Sequence, residues 1–339
     1  MKVAAMFGDR KAGLVERRDP VAAGDFALVK VTVVPMCTEY RTFKSGHKGE
    51  GFGHEAAGEV VKPGGSGRTK AGDRVVVMPQ YPCGKCAHCL AGEYIYCQHT
   101  MDVHKVTGSE TGTATYAQYM IKPEWLLVPI PDDISTEHGA MACCGLGPTF
   151  GAMQRLAVDA FDTVLITGMG PVGLGGVINA THRGARVIAV ESQPYRAALA
   201  LKLGACAVVD PAGPDPLAAI RDLTGGPGVD KAVDCSGSPQ AQRLMIDAVR
   251  RRGSAAFVGE SWDPLTLKVS DDMIRKGLTL HGSWHYGLAD TPRLMGIIRK
   301  EKARLGMLIT HAFPFGDVQK AWDLQVTGNC GKVVLHPWE

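Results

Sequence analysis

The chain has 339 residues, 45% hydrophobic and 21% charged, with a formal net charge of +3. That length exceeds one ordinary core and fits two domains of globular, not disordered, composition. The weak charge shows no Lys/Arg cluster, so neither nucleic acid nor an anionic membrane is implied, and no run approaches the ~20 apolar residues of a membrane span.

The N-terminus MKVAAMFGDRK lacks an apolar run of signal-peptide length, so the cytoplasm is the expected location. From there to about residue 145, short β-like runs dominate: FALVKVTVV, GHEAAGEVV, DRVVVMP and YAQYMI. Gly, Pro and Asp punctuate them, which predicts an all-β, barrel-like region. Within it, PMCTEYRTFKSG places Cys37 just after a strand-like run, followed by Thr38, Glu39 and Tyr40 and no histidine. His54 and Glu55 follow in GFGHEAAGEV, and Cys143 and Cys144 in MACCGLG. Two thiolates and one imidazole make a three-ligand zinc set that leaves a fourth position open for chemistry. Spacing alone does not choose this over an ordinary polar pair and core cysteines.

Between these lies CGKCAHCLAGEYIYC, with Cys83, Cys86, Cys89 and Cys97 at C-x2-C-x2-C-x7-C spacing. Four thiolates close a tetrahedral zinc site to substrate, so such a site is structural. An iron–sulfur cluster is the rival occupant. His88 is surplus to four cysteines and reads as a solvated loop residue. Cys206 and Cys235 sit beside strand-like runs and read as small core residues.

After about residue 150 the rhythm changes. DTVLITG reads as a buried strand, PVGLGGVINATHRG as a helix and RVIAVE as a second strand, and the alternation continues through KAVDCSG, SAAFVG and LTLHGS. Strands alternating with helices predict a parallel, doubly wound sheet. Gly168, Gly170 and Gly173 spell G-x-G-x-x-G in GMGPVG, between the first strand and its helix, which is the context a dinucleotide fingerprint requires. Pro171 and Val172 complete the loop, and the helix N-terminus offers N–H groups to a pyrophosphate. Glu191 ends the next strand, where a carboxylate accepts from ribose hydroxyls and repels a 2′-phosphate. NAD is therefore expected over NADP, with Arg196 nearby as the residue that argues the other way. The tail ends in the strand KVVLHP. The expected layout is a β-rich domain over 1–149 and 286–339, its cysteine lobe at about 80–100, and a nucleotide domain over 150–285.

GHEAAGEV, AGDRV, the four-cysteine lobe, ITGMGPVG, GGPGVDKAVDCSG, LTLHGS and GNCGKVVLHP follow one another in an order that resembles the zinc-dependent medium-chain alcohol dehydrogenases. The resemblance covers nearly the whole chain. It implies an α/β protein with a GroES-like β-rich catalytic domain and a Rossmann domain. It places the catalytic zinc ligands on Cys37, His54 and Cys144, with Glu55 able to approach the metal. Cys144, not Cys143, matches because it directly precedes the Gly-Leu-Gly turn. A structural zinc on Cys83, Cys86, Cys89 and Cys97, hydride transfer between an alcohol carbon and NAD in the cleft between the domains, and a homodimer or homotetramer are implied too.

The sequence departs from that family after Cys37. The family commonly reads Cys-x-Ser/Thr-Asp-x-His, in which the hydroxyl takes the substrate proton and the His helps pass it outward. Two registers fit. Without a gap, Glu39 replaces the hydroxyl, Tyr40 the Asp and Thr42 the His, and Glu39 is then the expected general base or a contact for a second substrate hydroxyl. Slipped by one place, Thr38 becomes the hydroxyl and Glu39 the Asp. The ungapped register is preferred, since a deletion beside a ligand would re-aim it. A second departure is the short GHKGEGFGHE run, which either opens the substrate mouth or is a solvated loop. Met101, Asp102 and His104, and Trp284, His285 and Tyr286, fall where the resemblance places substrate and cleft residues, and their polar aromatic character suits a polyol, sugar or cyclitol derivative. The leading expectation is an NAD-dependent zinc alcohol dehydrogenase acting on a secondary alcohol. The alternative is a redox-neutral epimerase with retained NAD and Glu39 as acid/base, and a zinc-stabilised binding protein comes third.

Overall fold

Alternation of buried and half-exposed positions along FALVKVTVVP makes Phe26–Pro35 the central strand of the N-terminal region. The computed structural model describes residues 1–339. In chain order the strands are β1 (Lys2–Gly8), β2 (Lys11–Glu16), β3 (Phe26–Pro35), β4 (Lys48–Glu50), β5 (Ala56–Lys62), β6 (Arg74–Val77), β7 (Tyr119–Pro123) and β8 (Leu127–Pro129), followed by β9 (Thr163–Thr167), β10 (Arg186–Val190), β11 (Ala207–Val209), β12 (Val229–Asp234), β13 (Val249–Phe257) and β14 (Thr279–Gly282), and finally β15 (Ile309–Pro314) and β16 (Lys332–His336). The chain divides into two units. One comprises Met1–Gly145 with Gly287–Glu339, the other Leu146–Tyr286. The first boundary falls before the expected 149/150 because the helix Gly147–Arg155 packs within the second unit, where Asn179 Nδ2 donates to the Leu146 carbonyl and to Thr149 Oγ1, both at 2.9 Å.

The first unit holds a three-stranded sheet, β2-β1-β4, and a seven-stranded sheet ordered β15-β16-β3-β5-β6-β8 with β7 also on β3. Trp322, from the helix Val318–Thr327, is fully buried in its core and stacks between Phe43 and Tyr116. Within the short GHKGEG run, Lys48–Glu50 is a strand paired antiparallel with β1; its Lys48 and Glu50 are exposed, and Glu50 bridges to Arg17 at 2.8 Å. The second unit is a six-stranded parallel sheet in the order β11-β10-β9-β12-β13-β14. Numbered from β9 this is 3-2-1-4-5-6, the doubly wound order expected of a dinucleotide-binding sheet. No helix is long and apolar enough to cross a membrane.

One buried carboxylate organises the turn after β5. Glu124 is 1% exposed and accepts from the Gly64 and Ser66 amides at 3.0 Å, the Thr69 amide at 3.2 Å, Thr69 Oγ1 at 2.5 Å and Ser66 Oγ. Burial pushes its carboxyl up, but the Ser66 and Thr69 hydroxyls and the loop amides outweigh that and hold it down to about 2. Its stabilisation is complete above the unfolded value of about 4.3 and is lost as pH falls from there toward about 2. Glu124→Ala should lower unfolding free energy by about 2–4 kcal/mol at pH 7 by orphaning these donors. Urea melts at pH 7 and pH 3 check this, with the gap between variant and parent narrowing at pH 3.

Candidate functional site

Four sulfurs gather on the lobe between β6 and β7. Cys86 Sγ lies 3.5 Å from Cys89 Sγ and 3.8 Å from Cys97 Sγ, and Cys83 Sγ lies 3.6 Å from Cys97 Sγ and 4.0 Å from Cys89 Sγ. A tetrahedron of thiolates at the zinc–sulfur distance of about 2.3 Å has edges of about 3.8 Å, so the set fits one zinc ion. The Cys83 and His99 amides point at Cys97 Sγ at 3.3 and 3.4 Å, as second-layer donors to a thiolate do. His88 is exposed and outside the set.

A second constellation sits at one end of the seven-stranded sheet. Antiparallel pairing of Val33 in β3 with Ala57 in β5 puts Cys37, just past β3, beside His54 and Glu55, just before β5. β16 runs antiparallel to β3 with Val334 opposite Pro35, and the Met36 amide donates to the Val333 carbonyl, so Lys332 arrives at the same end. The ligand atoms of Cys37, His54, Glu55 and Cys144 all lie within 4.8 Å of one another. His54 Nε2 is 3.3 Å from Cys144 Sγ, close to the about 3.5 Å edge of a zinc tetrahedron with one nitrogen and one sulfur at the vertices. The donor set of two sulfurs, one imidazole and a carboxylate fits zinc. Hydrogen bonding from the Cys144 thiol holds the Cys37 thiol well below its ordinary value, with burial opposing and Lys332 helping.

Glu55 is fully enclosed. Its Oε1 accepts from Lys332 Nζ at 2.6 Å, and its Oε2 accepts from the Cys144 amide at 3.1 Å. Both side chains of the ion pair have no exposed surface. Burial works against the Lys332 ammonium, but the Glu55 carboxylate and the neighbouring sulfurs win, and its pKa is raised. Lys332 escapes the sequence reading. Its signal is a lone cation opening the otherwise apolar strand KVVLH.

The structure places Glu39 against two of the ligand residues. One carboxylate oxygen lies 2.8 Å from His54 Nδ1, and the other accepts from the Cys37 amide at 3.2 Å and from the Tyr116 hydroxyl at 3.4 Å. A carboxylate engaged by three donors is suited to anchoring the imidazole. Thr38 is the exposed N-cap residue of the short helix Glu39–Lys44, and its side chain makes no capping hydrogen bond. Nothing resembling a histidine relay follows it.

The substrate residues expected near 101–104 also serve local ends. Asp102 accepts from the Lys105 amide at 3.0 Å as a helix cap, His104 Nδ1 lies 3.2 Å from the Ser109 carbonyl, and Met101 packs against the small cluster of Ala22, Phe26, Val103 and Ile121. His285 and Tyr286 are buried and stacked with ring centroids 4.9 Å apart, while Trp284 is half exposed.

In the second unit the glycine loop has the shape a pyrophosphate needs. Gly168 has φ of +82°, and a Cβ there would lie 2.7–2.9 Å from Ser236. A Cβ on Gly173 would lie 1.9 Å from the Gly168 carbonyl, whereas one on Gly170 would meet nothing within 4 Å. The open face at Gly170 is therefore where a phosphate can touch backbone, above the N-terminus of the helix Pro171–His182 that begins with Pro171 and Val172. Glu191 Oε2 accepts from the Met169 amide at 2.7 Å, which holds the acid beside the loop. Its Oε1 accepts from the Ser192 and Gln193 amides at 2.9 Å, and Oε2, with one donor, keeps a lone pair for a hydroxyl. Arg196 is half-buried one turn into the following helix, with its amide on Gln193 Oε1.

Residues 24–132 match the family model of the alcohol dehydrogenase GroES-like domain, and residues 171–300 that of the zinc-binding dehydrogenases. L-threonine 3-dehydrogenase of Bacillus velezensis is 32% identical over 300 residues, covering 84% of this chain and 82% of that protein. The chain belongs to the zinc-dependent medium-chain alcohol dehydrogenase family. This dehydrogenase is also 30% identical over 329 residues to D-arabitol-phosphate dehydrogenase of Enterococcus avium, covering 93% of this chain and 91% of that one. A crystal structure of an NAD-dependent alcohol dehydrogenase superposes with a TM-score of 0.81 at 25% identity, covering 99% of both chains. The GroES-like and Rossmann architecture and the oxidoreductase class expected from the resemblance hold for this dehydrogenase.

Proposed function

We propose that this dehydrogenase oxidises a secondary alcohol bearing further polar groups, passing hydride to NAD, with one catalytic and one structural zinc per chain. The observation that carries the proposal is the convergence of Cys37, His54 and Cys144 beside the Glu55–Lys332 pair. The relatives named for threonine and arabitol phosphate share a secondary carbinol flanked by polar or charged groups. A zinc ion held there supplies Lewis acidity, lowering the pKa of an alcohol and stabilising charge on a carbonyl oxygen. The protein's own part is to prepare the site. Glu39 fixes the tautomer and plane of His54 so that Nε2 faces the sulfurs. Lys332 offsets the Glu55 charge within a centre that already carries two thiolates. Thr38, next to Cys37 with its hydroxyl uncommitted to the helix, takes the proton from the alcohol and delivers it directly to water.

NAD over NADP is supported by Glu191 at the end of β10, whose charge repels a 2′-phosphate. The four-cysteine lobe takes the structural zinc because its sulfurs leave no face open to substrate. A cytoplasmic location agrees with ten cysteines that are all free. Family membership supports assembly as a dimer or tetramer.

The test is a panel of secondary alcohols, polyols, sugar phosphates and β-hydroxy amino acids with NAD and with NADP, read by absorbance of the reduced cofactor. Reduced cofactor should accumulate in step with substrate, with kcat/KM for NAD at least about tenfold above that for NADP. Absence of reduced cofactor with every secondary alcohol would overturn the assignment, and a preference for NADP would overturn the role of Glu191.

A further inference from the structure

We propose that Tyr116 is a positioning residue for the catalytic metal centre, its hydroxyl holding the Glu39 carboxylate against His54. This rests on the metal-centre reading above. Glu39 touches two ligand residues at once, the His54 ring at 2.8 Å and the Cys37 amide at 3.2 Å. The Tyr116 hydroxyl meets the oxygen that accepts from Cys37, at 3.4 Å. With that donor in place, the carboxylate plane is set by three groups on three separate segments.

The phenol can do this because its ring cannot move. Tyr116 is 1% exposed and stacks on Trp322 with centroids 5.5 Å apart and planes 16° apart. Trp322 stacks in turn on Phe43, also at 5.5 Å, and Phe43 lies on the same short helix as Glu39. Tyr116 and the Glu39 helix are thus clamped to one indole. On the other side, the Tyr116 amide donates to the Phe52 carbonyl at 3.2 Å. A Cβ on Gly53 would lie 2.3 Å from the Tyr116 ring, so only glycine lets the segment bearing His54 come this close. Burial, then the Glu39 charge, raise the phenol well above its ordinary pKa, so it remains a donor.

Groups that hold a ligand's outer partner act on metal retention, not on the chemistry directly. The experiment uses the full-length protein loaded with zinc and, separately, with cobalt(II) as a visible probe. Tyr116→Phe keeps the ring, its stack and its volume and removes only the donor. The catalytic metal should then pass to a chelator roughly 3–10-fold more readily, with a shift in the cobalt visible bands, while the four-cysteine metal is unchanged. Glu39→Gln should weaken retention roughly 10–100-fold. Adding Tyr116→Phe to Glu39→Gln should change nothing further, because the hydroxyl acts through the carboxylate. Catalytic-site retention equal to the parent in Tyr116→Phe would overturn the proposal. So would an equal further loss in the Glu39→Gln background, which marks general packing. A parent protein that binds metal only in the four-cysteine lobe would overturn the metal-centre reading and this inference together, whereas two metals in the parent with Tyr116→Phe indistinguishable from it overturns the inference alone.

Discussion

His54→Ala is expected to lower kcat/KM for the alcohol by about a thousandfold or more and to reduce zinc from two ions per chain to one. The alanine leaves two thiolates and no neutral nitrogen donor at the open site, which raises its negative charge and removes one vertex of the tetrahedron. It also strands Glu39, whose carboxylate loses the ring N–H 2.8 Å away and keeps only the Cys37 amide and the Tyr116 hydroxyl. A loss of about 4 kcal/mol of transition-state stabilisation corresponds to a thousandfold in rate. Metal analysis alongside steady-state kinetics separates this from unfolding, because the four-cysteine metal stays bound if the fold persists. Turnover within tenfold of the parent, with two zinc ions retained, would remove His54 from the metal centre.

Lys332→Met is expected to cost about 3–5 kcal/mol of unfolding free energy. The methionine fits the volume and the apolar strand, so the penalty comes from the carboxylate left behind. Glu55 is 1% exposed, and its other oxygen already holds the Cys144 amide. Without Lys332, a carboxylate at that depth has no water and no ammonium to offset its charge. Neutralising both partners should recover about half of the loss. Glu55→Gln with Lys332→Met keeps an acceptor for the Cys144 amide and removes the buried charge, so the double variant should be more stable than Lys332→Met alone by about 2 kcal/mol. Denaturant melts of the three variants read this coupling. If the single substitutions add without recovery, the pair does not work as a buried ion pair.

Features written in short runs of residues are legible in the sequence alone. The glycine loop is one, because a strand, a tight turn and a helix N-terminus are built from neighbours in the chain, and the structure gives Gly168 a left-handed φ and leaves open space at Gly170. The four-cysteine lobe is another, since its ligands share one loop and their spacing limits how they fold around an ion. Cys37, His54 and Cys144 are reached only through the resemblance, because their spacing carries little information across so many intervening residues. Glu39 stands out as an anomaly, yet its place in the motif does not reveal its partners. Whether its carboxylate turns toward substrate or toward His54 depends on how the helix Glu39–Lys44 is pinned by Phe43 against Trp322, which comes from the far end of the chain.

By itself the sequence determined the class of the protein: two domains of different rhythm, a dinucleotide loop, a closed cysteine lobe and the residue types of an open metal site. These follow from periodicity and local spacing, which are properties of adjacent residues. The tertiary structure decided the partners: Glu39 to His54, Lys332 to Glu55, and Tyr116 behind Glu39. Antiparallel register between β3, β5 and β16 brings His54, Glu55 and Lys332 to one end of a sheet and leaves the Glu55–Lys332 charges no water to turn to, while the Trp322 stack brings Tyr116 and the Glu39 helix to the same place.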